Sequence, residues 1–395
     1  MLAFGFFISC STLQSSNPQS ASNKTLTEKE LKQEVSSLES RISEAPDQPD
    51  LHFEKGKLLT ELAKKQKLPT NRVTPYTNAR QALEKALQLY NDSTEAADQV
   101  KDLLNVTWSL EHNEGVKFFQ GESDQKPDYE RASAHFNNAT IIIPDSANSY
   151  TMRARALYKN QQSQKAIGVL EKAQKQIDSP PAELLEQLAF LYLENDDPHK
   201  AVAVYEEAES FSDQNLNLLH GLSNAYINAG KHQQAIVLLN QLIENEPQNI
   251  IYAQTLGTEL FFVGKSQLDS IFTALENGTP LEETQFDSAV TTVEKAREQF
   301  ELLAEENPEN TDVQKRTANF YYNIASRYQN LIPLVADEHQ EQLEEKMTNY
   351  LSASIPFFER LATQNQQDQK LWDQLYKIYS ILGMDEEAQN AKANL

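Results

Sequence analysis

Apolar residues recur every three to four positions along most of the chain, the spacing of amphipathic helices rather than of strands. The pattern begins at Thr25, where TLTEKELKQEVSSLESRI supplies an N-cap and then places Leu31, Val35, Leu38 and Ile42 on one helical face. Further on, two stretches share one layout: ELLEQLAFLYLENDDPHKAVAVYEEAESF from Glu183 and NLLHGLSNAYINAGKHQQAIVLLNQLIENEP from Asn217. Each predicts a helix with a Leu–small–x–x–Tyr core, a short polar turn, and a second helix led by alanine. Ala166, Ala201 and Ala235 fall 35 and 34 positions apart, so the unit repeats.

This unit resembles the tetratricopeptide repeat, a pair of antiparallel helices about 34 residues long. Leu222, Ser223 and Tyr226, Gly230 in the turn, Ala235, Leu239 and Pro247 carry the signature in one unit. Leu188, Ala189, Tyr192, Ala201, Tyr205 and Ala208 carry it in the preceding one, and Tyr150, Ala154, Leu157, Ala166, Leu170 and Ala173 in the one before. Looser units extend the array. Gly56 goes with Ala79, Leu83 and Ala86 across about eleven extra residues around KQKLPTNRVTP, and Gly115 goes with Tyr129, Ala132, Phe136, Ala139 and Pro144. Leu256, Gly257 and Leu260 open a unit whose second helix comes only near Ala296 and Phe300, which predicts long helices turning near ENGTPLEE. Ala318 and Tyr321 open another long pair closing at Ala353 and Phe357, and Trp372, Leu375, Tyr379, Gly383 and Ala388 form the last.

The resemblance implies an all-α fold, an α-solenoid winding as a right-handed superhelix of helical hairpins, some of them elongated. Three segments are expected: a signal-like stretch over 1–10, a flexible Ser/Asn-rich tether over 11–24, and the repeat array over 25–395, clearest over 147–248.

Composition narrows the function. The formal charge is −23, from 58 acidic against 35 basic residues, so phosphate backbones are repelled and nucleic acid is not an expected partner. The acidity admits two readings: attraction of basic partner segments, or plain solubility and adaptation to salt. One cysteine rules out intrachain disulfides and cysteine-rich zinc sites. No phosphate loop, zinc helix or nucleophile elbow occurs, the seven histidines lack metal-ligand spacing, and the paired acids sit on solvent-facing helices. A non-enzymatic protein without cofactor or metal is expected.

What the repeat family offers is a groove lined by the first helix of each pair. The family's groove positions map onto Thr151, Arg155, Tyr158 and Lys159, then Glu186, Phe190 and Leu193. Asn217, His220, Asn224 and Asn228 follow as a polar ladder, and then Gln254, Thr258, Phe261 and Phe262. The candidate peptide-binding set is Arg155, Tyr158, Lys159, Phe190, Asn217, His220, Asn224, Asn228 and Thr258. Its asparagines suit an extended backbone, and Tyr158 and Phe190 suit apolar contact. The alternative for these residues is a solvated face with its aromatics packed inward. The family's chaperone-binding carboxylate clamp is not expected, since Lys315 and Asn319 match it but Gln374 stands where asparagine is required.

The first ten residues, MLAFGFFISC, resemble the end of a bacterial lipoprotein signal peptide. Ile8 and Ser9 suit the positions before Cys10, the cysteine that would be lipidated, although Phe7 stands where leucine is usual. No Lys or Arg precedes the apolar run, so a start upstream of Met1 is expected. Ser11 replaces the aspartate of inner-membrane retention, which implies an outer-membrane anchor with the body in the periplasm or at the cell surface. The expectation is a membrane-anchored interaction scaffold of the cell envelope, with protein or peptide segments as partners. The alternative is an envelope lipoprotein binding a carbohydrate or other small ligand, for which the Gly264–Ala296 stretch offers only Phe272 and Phe286 as stacking groups.

Overall fold

The computed structural model describes residues 26–90, 94–121, 126–209 and 215–395, and among these the regular structure is helical, without strands. Two compact units divide the chain, residues 1–149 and 150–395.

In the first unit, α1 (Glu28–Glu44) is started by a reciprocal cap: Thr27 Oγ1 accepts from the Glu30 amide, and Glu30 returns a bond to the Thr27 amide. Its buried stripe, Leu31 and Val35, packs against Leu59 and Leu62 of α2 (Pro49–Lys64). Two hairpins follow, α2 with α3 (Val73–Leu89) and α4 (Glu95–Gln120) with α5 (Tyr129–Ile142). Their closeness depends on absent side chains. A Cβ on Gly115 would lie 2.8 Å from the fully buried ring of Phe136.

The insertion between α2 and α3 becomes part of the core. A 3-10 turn, Pro69–Arg72, sends Arg72 Nη1 to Glu111 Oε1 at 2.7 Å. Glu111, 2% exposed, also accepts from the Tyr76 hydroxyl (2.9 Å), His135 Nδ1 (2.8 Å) and Asn138 Nδ2 (3.1 Å). Asn138 Nδ2 also donates to the Pro69 carbonyl at 2.9 Å. Burial pushes the Glu111 carboxyl up, but the hydrogen bonds and charges of His135 and Arg72 outweigh it and hold the group below its ordinary value of 4.5.

Three short hairpins come next: α6 (Ala147–Lys159), whose first residues up to Ser149 belong to the first unit, with α7 (Ser163–Gln176), then α8 (Ala182–Leu193) with α9 (Pro198–Glu209), and α10 (Leu216–Asn228) with α11 (His232–Asn245). The alanines that mark the repeat, Ala166, Ala201 and Ala235, are all fully buried, which lets the paired helices approach. The three turns close alike. Gln162 donates to the Leu157 carbonyl (2.9 Å), Asp197 to Tyr192 (2.9 Å) and Lys231 to Tyr226 (2.8 Å). The residue before each donor is left-handed: Gln161 at φ 59°, Asp196 at 57° and Gly230 at 68°.

Gly230 is suited to that conformation and Asp196 tolerates it, whereas Gln161 does not. A side chain costs about 1–2 kcal/mol there, partly offset by the extra freedom glycine gives the unfolded chain. Gln161→Gly is therefore expected to stabilise the protein by about 0.5 kcal/mol, read as a higher urea midpoint at unchanged slope.

The remaining helices lengthen as the sequence predicts. α12 (Ile250–Glu276) and α13 (Glu283–Glu306) turn at Gly278, φ 80°, and α14 (Thr311–Leu331) pairs with α15 (Asp337–Gln364). α16 (Gln369–Leu382) and α17 (Asp385–Lys392) end the chain, with Gly383 left-handed between them. An aromatic cluster fills this region. Phe320 stacks on Phe300 at 4.8 Å between ring centroids and meets Tyr321 at 5.3 Å, Phe261 at 5.9 Å and Tyr350 at 6.1 Å. No described helix is long and apolar enough to cross a membrane.

Candidate functional site

The first helices of the three short hairpins, α6, α8 and α10, together line a cleft of about 620 Å³. From the groove set, Arg155, Tyr158 and Lys159 come from α6, Phe190 from α8, and Asn217, His220 and Asn224 from α10. Leu193 and Glu186, which also fell on groove positions, line it as well. In each helix these residues sit three or four apart and so share one face.

At the centre, the Tyr158 and Phe190 rings meet edge to face with centroids 5.8 Å apart. Phe190 keeps 40% of its surface exposed, and the Tyr158 hydroxyl donates to Glu194 Oε2 at 3.0 Å. Along the α6 rim, Arg155 Nη2 pairs with Glu183 Oε1 at 2.9 Å, both side chains exposed. Lys159 is exposed at the same rim and has no ion-pair partner among the described residues. On α10, Asn224 Nδ2 lies 3.0 Å from His220 Nε2, and the His220 ring lies 5.6 Å from that of Tyr252.

Two groove candidates lie elsewhere. Asn228 donates its amide to the Asn224 carbonyl at 2.8 Å and does not line the cleft. Thr258 on α12 bonds back to the Gln254 carbonyl at 2.8 Å and is also outside it. Thr151 is 4% exposed, Phe261 packs on Phe320, and Phe262 stacks on His232. Cys10, the 1–10 stretch and the 11–24 tether lie outside the described residues.

The cleft also holds four residues the sequence pattern did not select: Glu183, Gln187, Tyr205 and Gly221. Tyr205 belongs to the second helix of its hairpin, yet its side chain reaches the groove under Gly221. A Cβ on Gly221 would lie 2.5–2.6 Å from the Tyr205 ring and hydroxyl, so only glycine leaves the ring this path. A glycine inside the helix LNLLHGLSNAYIN was the available signal. Glu186 is half-buried, and its carboxyl is raised above the ordinary 4.5 by burial first and the charge of Glu183 second, with Arg155 opposing. Among the described residues, no group of three or more His, Cys, Asp or Glu side chains is placed to hold a metal ion.

Antiparallel hairpins in series, with first helices sharing a lined cleft, define a helical-repeat fold. Residues 192–260, from the end of α8 into α12, match the model of the tetratricopeptide repeat. Solved structures to which it is similar include a MamA protein, at 16% identity and a TM-score of 0.36, covering 53% of this chain and 96% of that one. YrrB, described as a TPR protein with an unusual peptide-binding site, matches at 14% identity and a TM-score of 0.29, covering 56% and 98%. The C-terminal part of a TPR repeat-containing protein from Cytophaga hutchinsonii matches at 12% identity and a TM-score of 0.43, covering 74% and 93%. No curated protein matches the chain.

Proposed function

We propose that this protein is a non-enzymatic scaffold that holds an extended segment of a partner protein in the α6–α8–α10 cleft. One observation carries the reading: seven residues selected for groove positions converge on one cleft whose aromatic centre is open to solvent. Aromatic side chains in such a setting are the usual anchors of an interface, and exposed asparagine and histidine groups suit a peptide backbone. The acidic surface favours protein segments over nucleic acid as the occupant.

The test is selection of a random-peptide display library on the full-length protein, followed by affinity measurement. Tyr158→Ala with Phe190→Ala is expected to weaken the selected peptides at least tenfold, the loss of about 1.4 kcal/mol or more that truncated anchors produce. Asn228→Ala is expected to change nothing. Equal binding to the double variant would reject the cleft as the site.

The same proposal places the scaffold at a bacterial envelope membrane, held by a lipid on Cys10, with the outer membrane favoured. Its support is the sequence alone: an apolar run meeting the chain's one cysteine, then a Ser/Asn-rich stretch. Cys10→Ser is expected to move the protein from the membrane to the soluble fraction, and its retention on the membrane would remove this part of the proposal.

The carbohydrate reading has one observation in its favour, a second cleft of about 340 Å³ between α12 and α13. Ser266, Gln267, Ser270, Thr284, Gln285 and Ser288 line it with uncharged hydrogen-bonding groups. The rings that would stack on a sugar are turned inward, however. Phe286 is 5% exposed and packs on Tyr328, and Phe272 lies against the core. The peptide reading is therefore preferred.

A further inference from the structure

The first cleft has a recess whose polar groups lack partners. Arg155 engages Glu183, but no cation among the described residues pairs with Glu186, one turn further along α8. Beside it, Gln187 Oε1 is buried and accepts no hydrogen bond among the described residues. The Tyr205 hydroxyl has no hydrogen-bond partner among them either, although the residue is only 4% exposed. That hydroxyl is pushed up to about 12 by burial and then by the charge of Glu186, which places the two groups within electrostatic reach.

A carboxylate and an amide oxygen can only accept, and a tyrosine hydroxyl can accept as well as donate. Their complement is a cationic donor. The cleft's own cations fill that role only in part: Arg155 makes its ion pair with Glu183 and acts on Glu186 through its charge alone, and Lys159 is exposed at the rim, where water already solvates it. The half-buried Glu186 charge gains most from a new partner, because partial desolvation strengthens pairing. Resting on the reading that a protein segment occupies this cleft, we infer that the recess formed by Glu186, Gln187 and Tyr205 receives a lysine or arginine side chain of that segment.

The neighbouring geometry sets the pattern of the segment. Phe190 lies four residues beyond Glu186 on one helical face, about 6 Å along the axis. In an extended chain, side chains two residues apart share a face and lie about 7 Å apart. A segment lying along α8 would carry a basic residue and, two positions away, an aromatic or aliphatic residue that seats on the Tyr158–Phe190 pair.

The display selection tests this with an added cycle. Peptides selected on the full-length protein are expected to be enriched in a basic residue two positions from an apolar one. Replacing that basic residue with norleucine is expected to weaken binding about five- to tenfold to the wild type and less than twofold to Glu186→Gln. Peptides lacking basic residues, or an equal norleucine penalty in both proteins, would overturn the inference while leaving the cleft as a binding site. Peptides insensitive to the loss of Tyr158 and Phe190 would instead overturn the reading on which it rests.

Discussion

Replacing Glu111 with alanine is expected to destabilise the first unit by about 3–5 kcal/mol, the cost of removing one partner from a buried charge network. Glu111 is 2% exposed and accepts from Arg72, Tyr76, His135 and Asn138, on three different elements. Without the carboxylate, the Arg72 guanidinium loses its ion pair and three further donors lose an acceptor. Urea unfolding followed through Trp108 in a Trp372→Phe background measures the loss. Trp108 stacks on His112 and donates to Ser149 Oγ at 2.9 Å, within the same unit.

The same network gives a pH dependence with a definite sign. Burial raises the Glu111 carboxyl, but His135 and Arg72 outweigh it and hold the folded value below 4.5. The unfolded chain therefore binds this proton first as pH falls. The stabilisation is complete above about pH 4.5 and is lost as pH drops through the lower, folded value. Glu111→Gln is expected to be less stable at neutral pH and to show a shallower acid limb than the wild type. Parallel limbs would contradict the assignment.

Phe320→Ala is expected to cost about 3–5 kcal/mol in the second unit. Phe320 is 2% exposed and touches the rings of Phe300, Phe261, Tyr321 and Tyr350, so its removal empties the meeting point of α12, α13, α14 and α15. Phe320→Leu, which keeps most of the volume, should lose less than half as much. Calorimetric unfolding of the two variants separates a cavity cost from a mere local adjustment. Equal, small losses would mean that the surrounding rings collapse into the space.

The hairpins were legible because a repeated 34-residue pattern fixes where small residues must fall, and Ala166, Ala201 and Ala235 are all fully buried. The lengthened helices were legible too, since the apolar periodicity runs on past Leu260 until the turn at Gly278. The sequence pattern does not mark Phe320, Tyr328 and Tyr350, because these helices exceed the repeat and its positional rules give no guide there. Glu111 reads as a surface acid within EHNEG. It is buried because Arg72 arrives from a turn 39 residues earlier, a pairing no local period encodes.

At the cleft, helical spacing placed Asn217, His220 and Asn224 together, as periodicity can. It could not show that the Asn228 amide turns to its own helix. Nor could it show that Tyr205 crosses from the second helix of its hairpin through the space left by Gly221. Periodicity assigns faces, whereas contacts between particular side chains depend on packing across elements.

Under the proposed function, the α6–α8–α10 cleft is where a partner segment binds. A photo-crosslinking amino acid placed at Phe190 in the full-length protein, inside cells, tests it most directly. Val237 on α11, 58% exposed and outside the cleft, serves as the control position. The predicted result is a discrete protein adduct from position 190 that disappears in a Tyr158→Ala background and is absent from position 237. Adducts equal at both positions, or none at 190, would mean that the partner does not bind in this cleft.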